Sequence, residues 1–394
     1  MNGSPRIIGA LVGDIVREPG ARTKYGLFFE AVGEHFPLVD VYDASLRGMT
    51  RMVNAMQVVH PNTQRWKERF YQNLPAYRAR SRQAANYVRS MQGRADLVLQ
   101  VGVLFDACWD GAILPNLIYT DYTMHLSAQK PGLGRSPLTY KQCKAWIELE
   151  RRAFERAIHV CTRSKRTRDS IVNDYGIAAE RVTVIGGGVN FRTLPDIVPA
   201  VARHEPTVLF IGKDFYRKGG DVLLRAFSKT RKQLPKARLL LLTGESIPDN
   251  LPLDGVELIK PTWDRNVIAA LYRRADVFVL PSRLETWGDV LLEAMTYGLP
   301  CIGVTGEAMD EIIEDGATGL TVPPDDTDAL AAALICLLSN RALCLQWGKN
   351  ARRRVEQEYT WGHVGDRLAA VIADVTELTG RECEPVLHTE REYR

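Results

Sequence analysis

Short runs of aliphatic and β-branched residues alternate with longer amphipathic stretches along most of the chain, and this order constrains the fold more than any other feature. It predicts βα units, in which each strand is followed by a helix that packs on a mainly parallel sheet. The alternation breaks once, between residues 191 and 206, where three prolines and no clear period indicate a linker. We therefore predict an α/β chain of two doubly wound domains, with the ligand in a cleft at the carboxyl ends of the strands.

The predicted elements fall on both sides of that linker. In the first half we expect strands at residues 6–12, 39–43, 96–100, 117–120, 158–161 and 181–185, and helices at about 22–34, 63–91, 137–155 and 164–174. In the second half we expect strands at 207–212, 238–243, 256–260, 277–280, 301–304 and 320–322, and helices at 221–233, 265–274, 289–297 and 327–338. Residues 341 to about 378 are expected to be helical. A length of 394 residues fits this count, since roughly 100 to 200 residues form one domain.

Composition excludes several other classes of protein. A chain with 45% hydrophobic and 25% charged residues has the balance of a globular protein, neither disordered nor fibrous. The seven cysteines are odd in number and form no Cys-x-x-Cys pair, so we expect neither a zinc knuckle nor a disulfide framework, and a reduced, cytoplasmic compartment. The first apolar run is too short for a signal peptide, and no uncharged stretch reaches the roughly 20 residues of a membrane span. Any membrane contact is expected to be peripheral.

The densest cluster of candidate functional residues is the segment PSRLETWGDVLLEAM, residues 281–295. Gly288 is placed to open a helix, and Gly298 is placed to end it. Glu285 then lies before the helix and Glu293 on its second turn, so both carboxylates can face the space above the helix N-terminus. Free N–H groups and the positive end of the dipole make such a terminus an anion site. The alternative is a loop glutamate and a solvated helix glutamate.

A second candidate is the strand-to-helix connection VLFIGKDFYRKGGD, residues 208–221. The strand is expected to end at Gly212, and two further glycines let the backbone approach an anion closely. Lys213, Arg217 and Lys218 would neutralise a diphosphate there. The alternative is a turn with solvated lysines. The chain has neither a Walker phosphate loop nor a Gly-x-Gly-x-x-Gly after its first strand, which disfavours nucleoside triphosphatases and dinucleotide dehydrogenases.

A third glycine cluster, residues 186–190 with the sequence GGGVN, follows the last expected strand of the first half. It permits close approach of the backbone to a ligand across the cleft, or it forms a flexible hinge.

These segments occur in order and at appropriate spacing with Gly298-x-Pro300, with the segment EIIEDGATG at 311–319 and with PPD at 323–325. Together they resemble the donor-binding half of the family-4 retaining glycosyltransferases of the GT-B fold, from about residue 181 to the C-terminal helices. The resemblance implies two facing Rossmann-like domains, with a C-terminal helix that crosses back from the second to the first. It assigns residues 1–190 with the helix at about 361–379 to an acceptor-binding domain, 191–206 to a linker and 207–360 to a donor-binding domain.

The resemblance also implies roles for individual residues on the donor side. Glu285 would contact hydroxyl groups of the donor sugar, Glu293 would hold the ribose, and Lys213 and Lys218 would bind the diphosphate. The remaining donor-binding positions are Gly212, Lys260, Thr262, Trp287, Gly288, Asp289 and Val290; of these, 260–262 fall where the family contacts the base. The first basic position is commonly arginine in the family, so Lys213 departs from the pattern.

The acceptor side departs further from the family pattern. Where many members have a Gly-Gly loop after the first strand, this chain has a basic segment with Gly20, Arg22 and Lys24. Where many members have a strand ending in His-Asp, this chain has Thr-Asp at 120–121, with His125 four residues later. Acceptor contacts from Arg22, Lys24, Asp121 and His125 therefore stand beside the alternatives of a structural cap for Asp121 and a surface position for His125.

No metal or cofactor is expected. Asp326-Thr-Asp328 matches the metal-binding Asp-x-Asp of the other large glycosyltransferase fold, but it precedes an apolar run and is better explained as a helix cap. The nucleotide sugar is then a co-substrate, and UDP is expected from its frequency in the family. The acceptor is expected to be a sugar, a glycan, a lipid-linked molecule or another small molecule.

Local positive charge in the first half contrasts with a net charge of only +4. Residues 63–94 carry many arginines interleaved with aromatic residues, and 163–168 form another basic cluster. One hypothesis is an electrostatic dock for an anionic membrane and a lipid-linked acceptor, at the inner face of the membrane. The other is a solvated helix face balanced by nearby acids. No nucleic-acid-binding module is recognisable, so we expect no nucleic-acid partner.

The sequence therefore predicts a retaining, metal-independent hexosyltransferase that uses a nucleotide-sugar donor. The alternatives are another GT-B enzyme, such as a sugar-nucleotide epimerase or a glycogen-synthase-type polymerase, and a catalytically silent nucleotide-sugar-binding protein. The complete set of Glu285, Glu293, Lys213 and Lys218 argues against a silent protein.

Overall fold

A computed structural model describes residues 4–18, 21–111, 113–133, 136–197 and 205–382. It contains two parallel six-stranded sheets, one in each half of the chain. The strands of the first sheet are β1 (Ile7–Leu11), β2 (Leu38–Asp43), β3 (Leu97–Val101), β4 (Asn116–Thr120), β5 (His159–Thr162) and β6 (Val182–Val184). Those of the second are β7 (Thr207–Ile211), β8 (Arg238–Leu242), β9 (Val256–Ile259), β10 (Val277–Val279), β11 (Cys301–Val304) and β12 (Gly319–Val322).

Helices connect successive strands in both halves. A π-helical turn, Arg22–Gly26, leads into the first of them. The first half contains α1 (Leu27–His35), α2 (Gly48–Gln57), α3 (Thr63–Tyr71), α4 (Leu74–Ser90), α5 (Met124–Ala128), α6 (Tyr140–Arg156) and α7 (Lys165–Asn173). The second contains α8 (Gly220–Gln233), α9 (Arg265–Arg274), α10 (Asp289–Thr296), α11 (Met309–Ile312), α12 (Thr327–Ser339), α13 (Arg341–Glu358) and α14 (Trp361–Glu382).

The predicted strands are confirmed to within two residues at each end, but one predicted helix is wrong and three helices were not predicted. The single helix expected at 63–91 is wrong, because Asn73 interrupts it and caps α4 by accepting a hydrogen bond from the N–H of Ala76 at 2.8 Å. The helical region expected from residue 341 onward consists of two helices that meet at residues 359–360, and the second begins at Trp361, where the crossing helix was expected. Helices α2, α5 and α11 were not predicted; α2 escaped notice because its apolar residues face solvent.

The two sheets differ in connectivity. Numbered from its own first strand, the first sheet has the order 2-1-3-4-5-6 and the second has the order 3-2-1-4-5-6. Both are doubly wound orders, in which the direction of strand addition reverses once. The reversal lies between β1 and β3 in the first sheet and between β7 and β10 in the second. Ligands bind at such switch points, outside the carboxyl ends of the strands, so these two crevices position any functional site.

The C-terminal helix α14 joins the second half back to the first. Its buried side chains belong to the same apolar cluster as α1 and the central strands of the first sheet: Trp361, Val364, Leu368, Val371, Ile372 and Val375. Trp361 lies 5.6 Å from the ring of Phe28 on α1. The predicted crossing helix is therefore confirmed.

Within the described ranges, no single helix is both long and apolar enough to cross a bilayer. The pair Thr327–Ser339 and Arg341–Thr376 passes the length and composition test only when joined, and it bends by 100° at the break.

Candidate active site

The switch point of the second sheet holds a buried ion pair. Lys218 lies in the connection that follows β7, and Glu285 lies in the connection that follows β10. Because β10 lies beside β7, two residues that are 67 positions apart in sequence meet at the carboxyl edge of the sheet. Lys218 Nζ donates a hydrogen bond to Glu285 Oε2, and the two side chains are only 14% and 10% exposed. The two motifs found separately in the sequence thus form one site.

The two connections also meet through their backbones, and Gly219 makes this possible. A Cβ atom at Gly219 would lie 2.0 Å from the carbonyl oxygen of Pro281, and the residue has a φ of 74°. Neither the space nor the backbone conformation admits a side chain there. Gly212 is constrained in the same region, since its Cβ would lie 2.9 Å from the Cβ of Lys218. The glycines therefore hold Lys218 against the loop that carries Glu285.

The two other basic residues of this connection, Arg217 and Lys213, differ in whether they are already paired with an acid. Arg217 pairs with Asp214 and donates to the carbonyl oxygen of Leu284 at 3.2 Å, so it stabilises the loop. Lys213 is exposed and forms no ion pair in the part of the chain that the structure describes. Lys213 is therefore the cation that is free to meet a phosphate group, next to the paired Lys218.

Helix α10 begins directly after Gly288, as predicted, and points its N-terminus at this crevice. Asp289 is its first residue, and Val290 is half-buried with its carbonyl oxygen 3.4 Å from the Tyr272 hydroxyl. The ring of Trp287 is only 3% exposed and packs edge-on against Tyr359 at 5.9 Å. The Trp287 ring also lies against the glycine cluster of the first half, since a Cβ at Gly187 would lie 2.9 Å from Trp287 Nε1.

Glu293 is buried on the second turn of α10, so the alternative of a solvated helix residue is wrong. It is 8% exposed, and its carboxylate accepts hydrogen bonds from Arg265 Nη1 at 3.1 Å and from the Tyr272 hydroxyl at 3.3 Å. Burial raises the pKa of Glu293, and the charge of Arg265 opposes that rise. Glu293, the residue predicted to bind the ribose, is therefore held in a fixed orientation by Arg265 and Tyr272.

Lys260 and Thr262 lie beyond the edge strand β9, in the connection to α9. Lys260 is exposed, and the Thr262 hydroxyl accepts a hydrogen bond from the N–H of Asp264 at 3.0 Å. Asp264 in turn caps α9, whose first residue is Arg265. This loop is thus linked to Glu293 through Arg265.

The switch point of the first sheet holds a cavity of about 220 Å³. Leu11 of β1 and Val101 of β3 contribute to its wall. Lys24 and Asp121 line it too, with Lys24 Nζ 3.4 Å from Asp121 Oδ2. The charge of Asp121 raises the pKa of Lys24, which therefore stays protonated. Two of the residues predicted on the acceptor side thus form a second ion pair.

The inner part of the cavity is polar. Ser127 contributes a buried hydroxyl oxygen that has no hydrogen-bond partner among the described residues. Glu150 lies beside it and accepts hydrogen bonds from the N–H of Met124 at 2.9 Å, from Trp146 Nε1 at 3.1 Å and from the Tyr175 hydroxyl. Burial raises the pKa of Glu150 to about 7. A ligand with hydroxyl groups would find both donors and acceptors here.

Arg22 and His125 lie outside this cavity. Arg22 is exposed in the π-helical turn, and Gly20 falls outside the described residues. His125 Nε2 lies 3.5 Å from Asp174 Oδ1, and its ring packs edge-on against Tyr175. The expected cap at Asp121 is also wrong, since Thr123 caps α5 by accepting from the N–H of Leu126 at 3.2 Å.

The two switch points face each other, and polar contacts cross between them. Thr286, next to Glu285, donates to Asp121 Oδ2 at 3.5 Å. Glu307 is only 2% exposed and accepts from the N–H of Glu285 at 2.9 Å while pairing with Lys130 of the first half. Glu307 therefore fixes the backbone of Glu285 relative to the first sheet.

Arg163 forms a second bridge between the halves. It follows β5, its guanidinium lies between the rings of Tyr119 and Trp361 at 5.6 and 5.7 Å, and Nη1 is 3.3 Å from Asp289 Oδ1. Burial opposes its charge, but the neighbouring Tyr119 and Asp289 raise the pKa of Arg163 overall. Its Nη2 is buried without a hydrogen-bond partner among the described residues. The glycine cluster 186–188 packs against this group, since a Cβ at Gly187 would lie 3.2 Å from Arg163 Cδ.

Glu307, Lys130 and Arg265 were not predicted, and Arg163 was expected only as part of the basic cluster at 163–168, although its side chain is buried. Arg163 and Glu307 both follow strands, at the carboxyl edge where parallel sheets place their ligand sites, and this rule could have found them. Lys130 and Arg265 carry no such signal, because only the tertiary arrangement brings them to their partners.

The Asp-x-Asp at 326–328 is confirmed as a helix cap. Asp326 accepts hydrogen bonds from the N–H groups of Asp328 and Ala329 at 3.0 and 2.9 Å, and Asp328 pairs with Lys229. No group of three or more potential metal ligands occurs in the described ranges.

Comparison with known proteins places the second half in a family. Residues 198–354 match the family model "Glycosyl transferases group 1", and this range contains Lys213, Lys218, Glu285 and Glu293. The chain therefore carries a group 1 glycosyl transferase domain. It is 28% identical over 218 residues to the glycogen synthase of Mycobacterium tuberculosis, covering 53% of this chain and 52% of that protein. The chain thus matches about half the length of that relative.

A longer match reaches into the first half. The chain is 27% identical over 307 residues to the D-inositol 3-phosphate glycosyltransferase of Kineococcus radiotolerans, covering 69% of this chain and 68% of that protein. Among solved structures, sucrose-phosphate synthase from Thermosynechococcus elongatus superimposes with a TM-score of 0.68 at 19% identity, over 95% of this chain and 100% of that one. Anabaena HepE in complex with UDP and glucose gives a TM-score of 0.60 at 14% identity, over 94% and 99%. These matches confirm the GT-B fold of two Rossmann-like domains.

Proposed function

We propose that this chain is a retaining, metal-independent glycosyltransferase that moves a hexosyl group from a nucleotide-sugar donor to an acceptor hydroxyl. The observation that carries the proposal is the Lys218–Glu285 pair at the second switch point, facing the Lys24–Asp121 pair at the first. A donor in one crevice and an acceptor in the other would bring their reacting atoms together between the two sheets. On this proposal, residues 207–360 form the donor domain, as the resemblance implied.

In the proposed reaction, the bond between the anomeric carbon and the diphosphate oxygen breaks, and the acceptor oxygen bonds to the same carbon. The diphosphate leaves with the electron pair, and the proton of the acceptor hydroxyl passes to the departing diphosphate oxygen on the same face. Lys213, Lys218 and the N-terminus of α10 supply positive potential where the negative charge develops, which lowers the barrier. Glu285 would hold the sugar hydroxyls so that the acceptor attacks from the face that the diphosphate leaves, which retains the anomeric configuration.

Metal independence is proposed from the residues themselves. The crevice offers two lysines and a helix N-terminus to the diphosphate, so the charge is compensated by fixed cations. The carboxylates that meet these elements, Glu285 and Glu293, are each paired with a cation. The Asp-x-Asp carboxylates are occupied in capping α12 and in pairing with Lys229.

The donor is proposed to be a UDP-sugar. The base would contact the loop with Lys260 and Thr262, and the ribose would contact Glu293, which Arg265 orients. The structural relative HepE, solved with UDP and glucose, supports uridine as the base to test first.

The acceptor is proposed to be a polyol or a sugar unit. The cavity of about 220 Å³ is smaller than the roughly 300–1,000 Å³ of drug-sized ligand sites, so it suits one ring better than a polymer. Lys24, Asp121 and Ser127 would contact its hydroxyl groups. The small cavity disfavours a glycogen-synthase-type polymerase.

The experiment is a thermal-shift panel of UDP-, GDP- and ADP-sugars, followed by turnover with polyol and sugar acceptors. We expect one nucleotide sugar to raise the melting temperature, and nucleoside diphosphate to appear only when acceptor is present. Nuclear magnetic resonance of the product should show the anomeric configuration of the donor. Absence of stabilisation by every nucleotide sugar would contradict the donor site. Binding without turnover would favour a silent binding protein, and conversion of the donor without acceptor would favour an epimerase.

A further inference from the structure

Helix α2 carries an exposed apolar stripe on the first half of the chain. Met49, Met52 and Met56 are 71%, 59% and 66% exposed, and Val53 between them is 39% exposed. At 100° per residue, these positions fall within an arc of about 100° on one side of the helix. Val59 continues the stripe just after the helix and is 67% exposed.

The opposite side of α2 is anchored, so the stripe is held outward. Asn54 is only 4% exposed, donates to the carbonyl oxygen of Phe70 at 3.0 Å and accepts from Asn73 Nδ2 at 3.0 Å. Trp66 of α3 donates from Nε1 to the carbonyl oxygen of Ala55 at 3.0 Å. These hydrogen bonds fix α2 against α3 and the start of α4. The exposure of the methionines is therefore a built feature of the surface.

The same segment is strongly basic. Between Asp43 and Asp96, Glu68 is the one acidic residue in the sequence, against nine arginines and one lysine. The whole chain has 51 basic and 47 acidic residues, so the remainder is net acidic. Arg47 is paired with Asp43, but four exposed cations remain on α2 and α3 beside the stripe: Arg51, Arg65, Lys67 and Arg69.

The position of this surface relates it to the first switch point. Helices α2 and α3 follow β2, at the carboxyl edge of the first sheet. Gln72, directly after α3, lines the cavity that holds Lys24 and Asp121. Trp66 and Tyr71, which are 37% and 40% exposed, lie on the same helix. Tryptophan and tyrosine favour the interface between water and lipid, because each ring combines an apolar body with a polar group.

We propose that α2 and α3 form a docking surface for an anionic phospholipid bilayer. The methionine stripe would enter the boundary between headgroups and acyl chains, while the arginines and Lys67 contact lipid phosphates in the same plane. A nucleic acid would use the cations but leave the stripe in water. This docking does not depend on the proposed reaction; if both hold, the acceptor cavity opens beside the bilayer, where a lipid-linked acceptor would be presented.

The test is co-sedimentation of the full chain with vesicles of phosphatidylcholine alone and of phosphatidylcholine mixed with phosphatidylglycerol. We expect binding to the anionic vesicles that weakens as salt is added, and little binding to the neutral ones. The double variant Arg65→Glu/Lys67→Glu should lower the partition coefficient about thirty-fold or more, since each surface cation contributes a factor of about five. Met52→Gln/Met56→Gln should lower it at least about tenfold, because it removes the apolar contact without changing the charge.

Matched controls come from the second half of the chain. Lys232→Glu/Lys236→Glu makes the same change of charge on an exposed surface, and Leu345→Gln removes an apolar side chain that is 46% exposed without changing the charge. Both controls should bind as the wild type does. All the altered side chains are exposed, and the melting temperature of each variant verifies the fold.

Three outcomes would overturn the proposal. The first is no binding of the wild type to anionic vesicles at low salt. The second is equal binding of the wild type and the methionine variant, which would leave only a charge effect. The third is a wild-type dimer in sedimentation equilibrium that the methionine variant disrupts without losing lipid binding, which would make the stripe a contact between copies of this chain. Because no nucleotide sugar is present, failure here is distinct from failure of the proposed reaction.

Discussion

The two switch points are built from the same kind of sheet and each holds a lysine–carboxylate pair, but they differ in openness. In the second, Lys218 and Glu285 are 14% and 10% exposed, and the backbones of their loops touch at Gly219 and Pro281. In the first, Lys24 and Asp121 are 41% and 22% exposed above a cavity. Buried charges in fixed positions suit a ligand whose charged group is always the same. Exposed charges beside a cavity suit ligands that differ in shape.

The residues around the two crevices also differ in how deeply they are buried. Behind the second lie α10 and Glu293, both buried and held by Arg265 and Tyr272. Beside the first lie α2 and α3; α3 buries no side chain, and α2 buries only Asn54. Rigid packing around the proposed diphosphate site would preserve the chemistry, while loose packing around the proposed acceptor site leaves room to adapt. Four predictions test this contrast, beginning with the largest expected effect.

Glu285→Gln should lower kcat by about 10²–10³-fold, because it removes the charged group proposed to hold the reacting sugar and leaves the Lys218 charge unbalanced. Steady-state kinetics with saturating donor and acceptor gives the measurement. The control is Glu257→Gln, an exposed glutamate paired with Arg274 in the same domain, which should keep full activity. A Glu285→Gln enzyme with wild-type kcat would remove the second crevice from the reaction.

Arg163→Ala should lower the free energy of unfolding by about 2–3 kcal/mol, because it removes a buried cation that packs between Tyr119 and Trp361 and pairs with Asp289. The loss stays below the 3–5 kcal/mol of a fully buried pair, since the Asp289 side chain is 35% exposed. Urea unfolding measures the change, and small-angle scattering should show a larger radius of gyration as the halves separate. Arg152→Ala, at an exposed pair with Glu148, should change neither quantity.

Glu307→Gln should lower kcat about tenfold with little change in the KM for donor, because Glu307 positions the backbone of Glu285 and touches no substrate. Lys130→Ala, which removes its partner across the cleft, should produce a similar split between kcat and KM. A rise in the donor KM with unchanged kcat would instead mean that Glu307 binds the donor.

Tyr175→Phe should lower the free energy of unfolding by about 1 kcal/mol. It should also extend to higher pH the range over which the free energy of unfolding depends on pH. The pKa of Glu150 is about 7 in the fold and about 4.5 when unfolded, so the folded state binds the extra proton and stability falls as pH rises through that window. Loss of the hydrogen bond from Tyr175 raises the pKa of Glu150 further, so the fall should continue above pH 7. Urea unfolding across pH tests this, and a pH profile parallel to that of the wild type would contradict it.

The contrast between the crevices also explains which parts of the fold and the site could be predicted from the sequence. Helix α9 has the predicted bounds, and α10 begins and ends where Gly288 and Gly298 indicate, because caps and turn glycines act within a few residues. Lys218 and Glu285 were each recognisable within a local motif. Their mutual contact was not, because it depends on β10 lying beside β7.

The first half was harder to predict for physical reasons. Helix α2 exposes its apolar face, so its periodicity does not mark a core, and Asn73 divides what the sequence presents as one helix. The bridges from Lys130 to Glu307 and from Arg163 to Asp289 join residues 177 and 126 positions apart. No pattern in one sequence specifies such pairs. The domain boundaries and the roles of the site residues remain predictions.

The most direct test of the central claim compares the two lysines. The donor dissociation constant is measured by isothermal titration calorimetry for the wild type, Lys218→Ala, Lys24→Ala and the surface control Lys229→Ala, using the nucleotide sugar that stabilises the wild type. Lys218→Ala should weaken donor binding by about 10- to 100-fold, because a charged hydrogen bond contributes about 1.5–3 kcal/mol, whereas Lys24→Ala and Lys229→Ala should leave it unchanged. Unchanged donor binding in Lys218→Ala, together with a loss in Lys24→Ala, would place the donor in the first crevice and contradict this account.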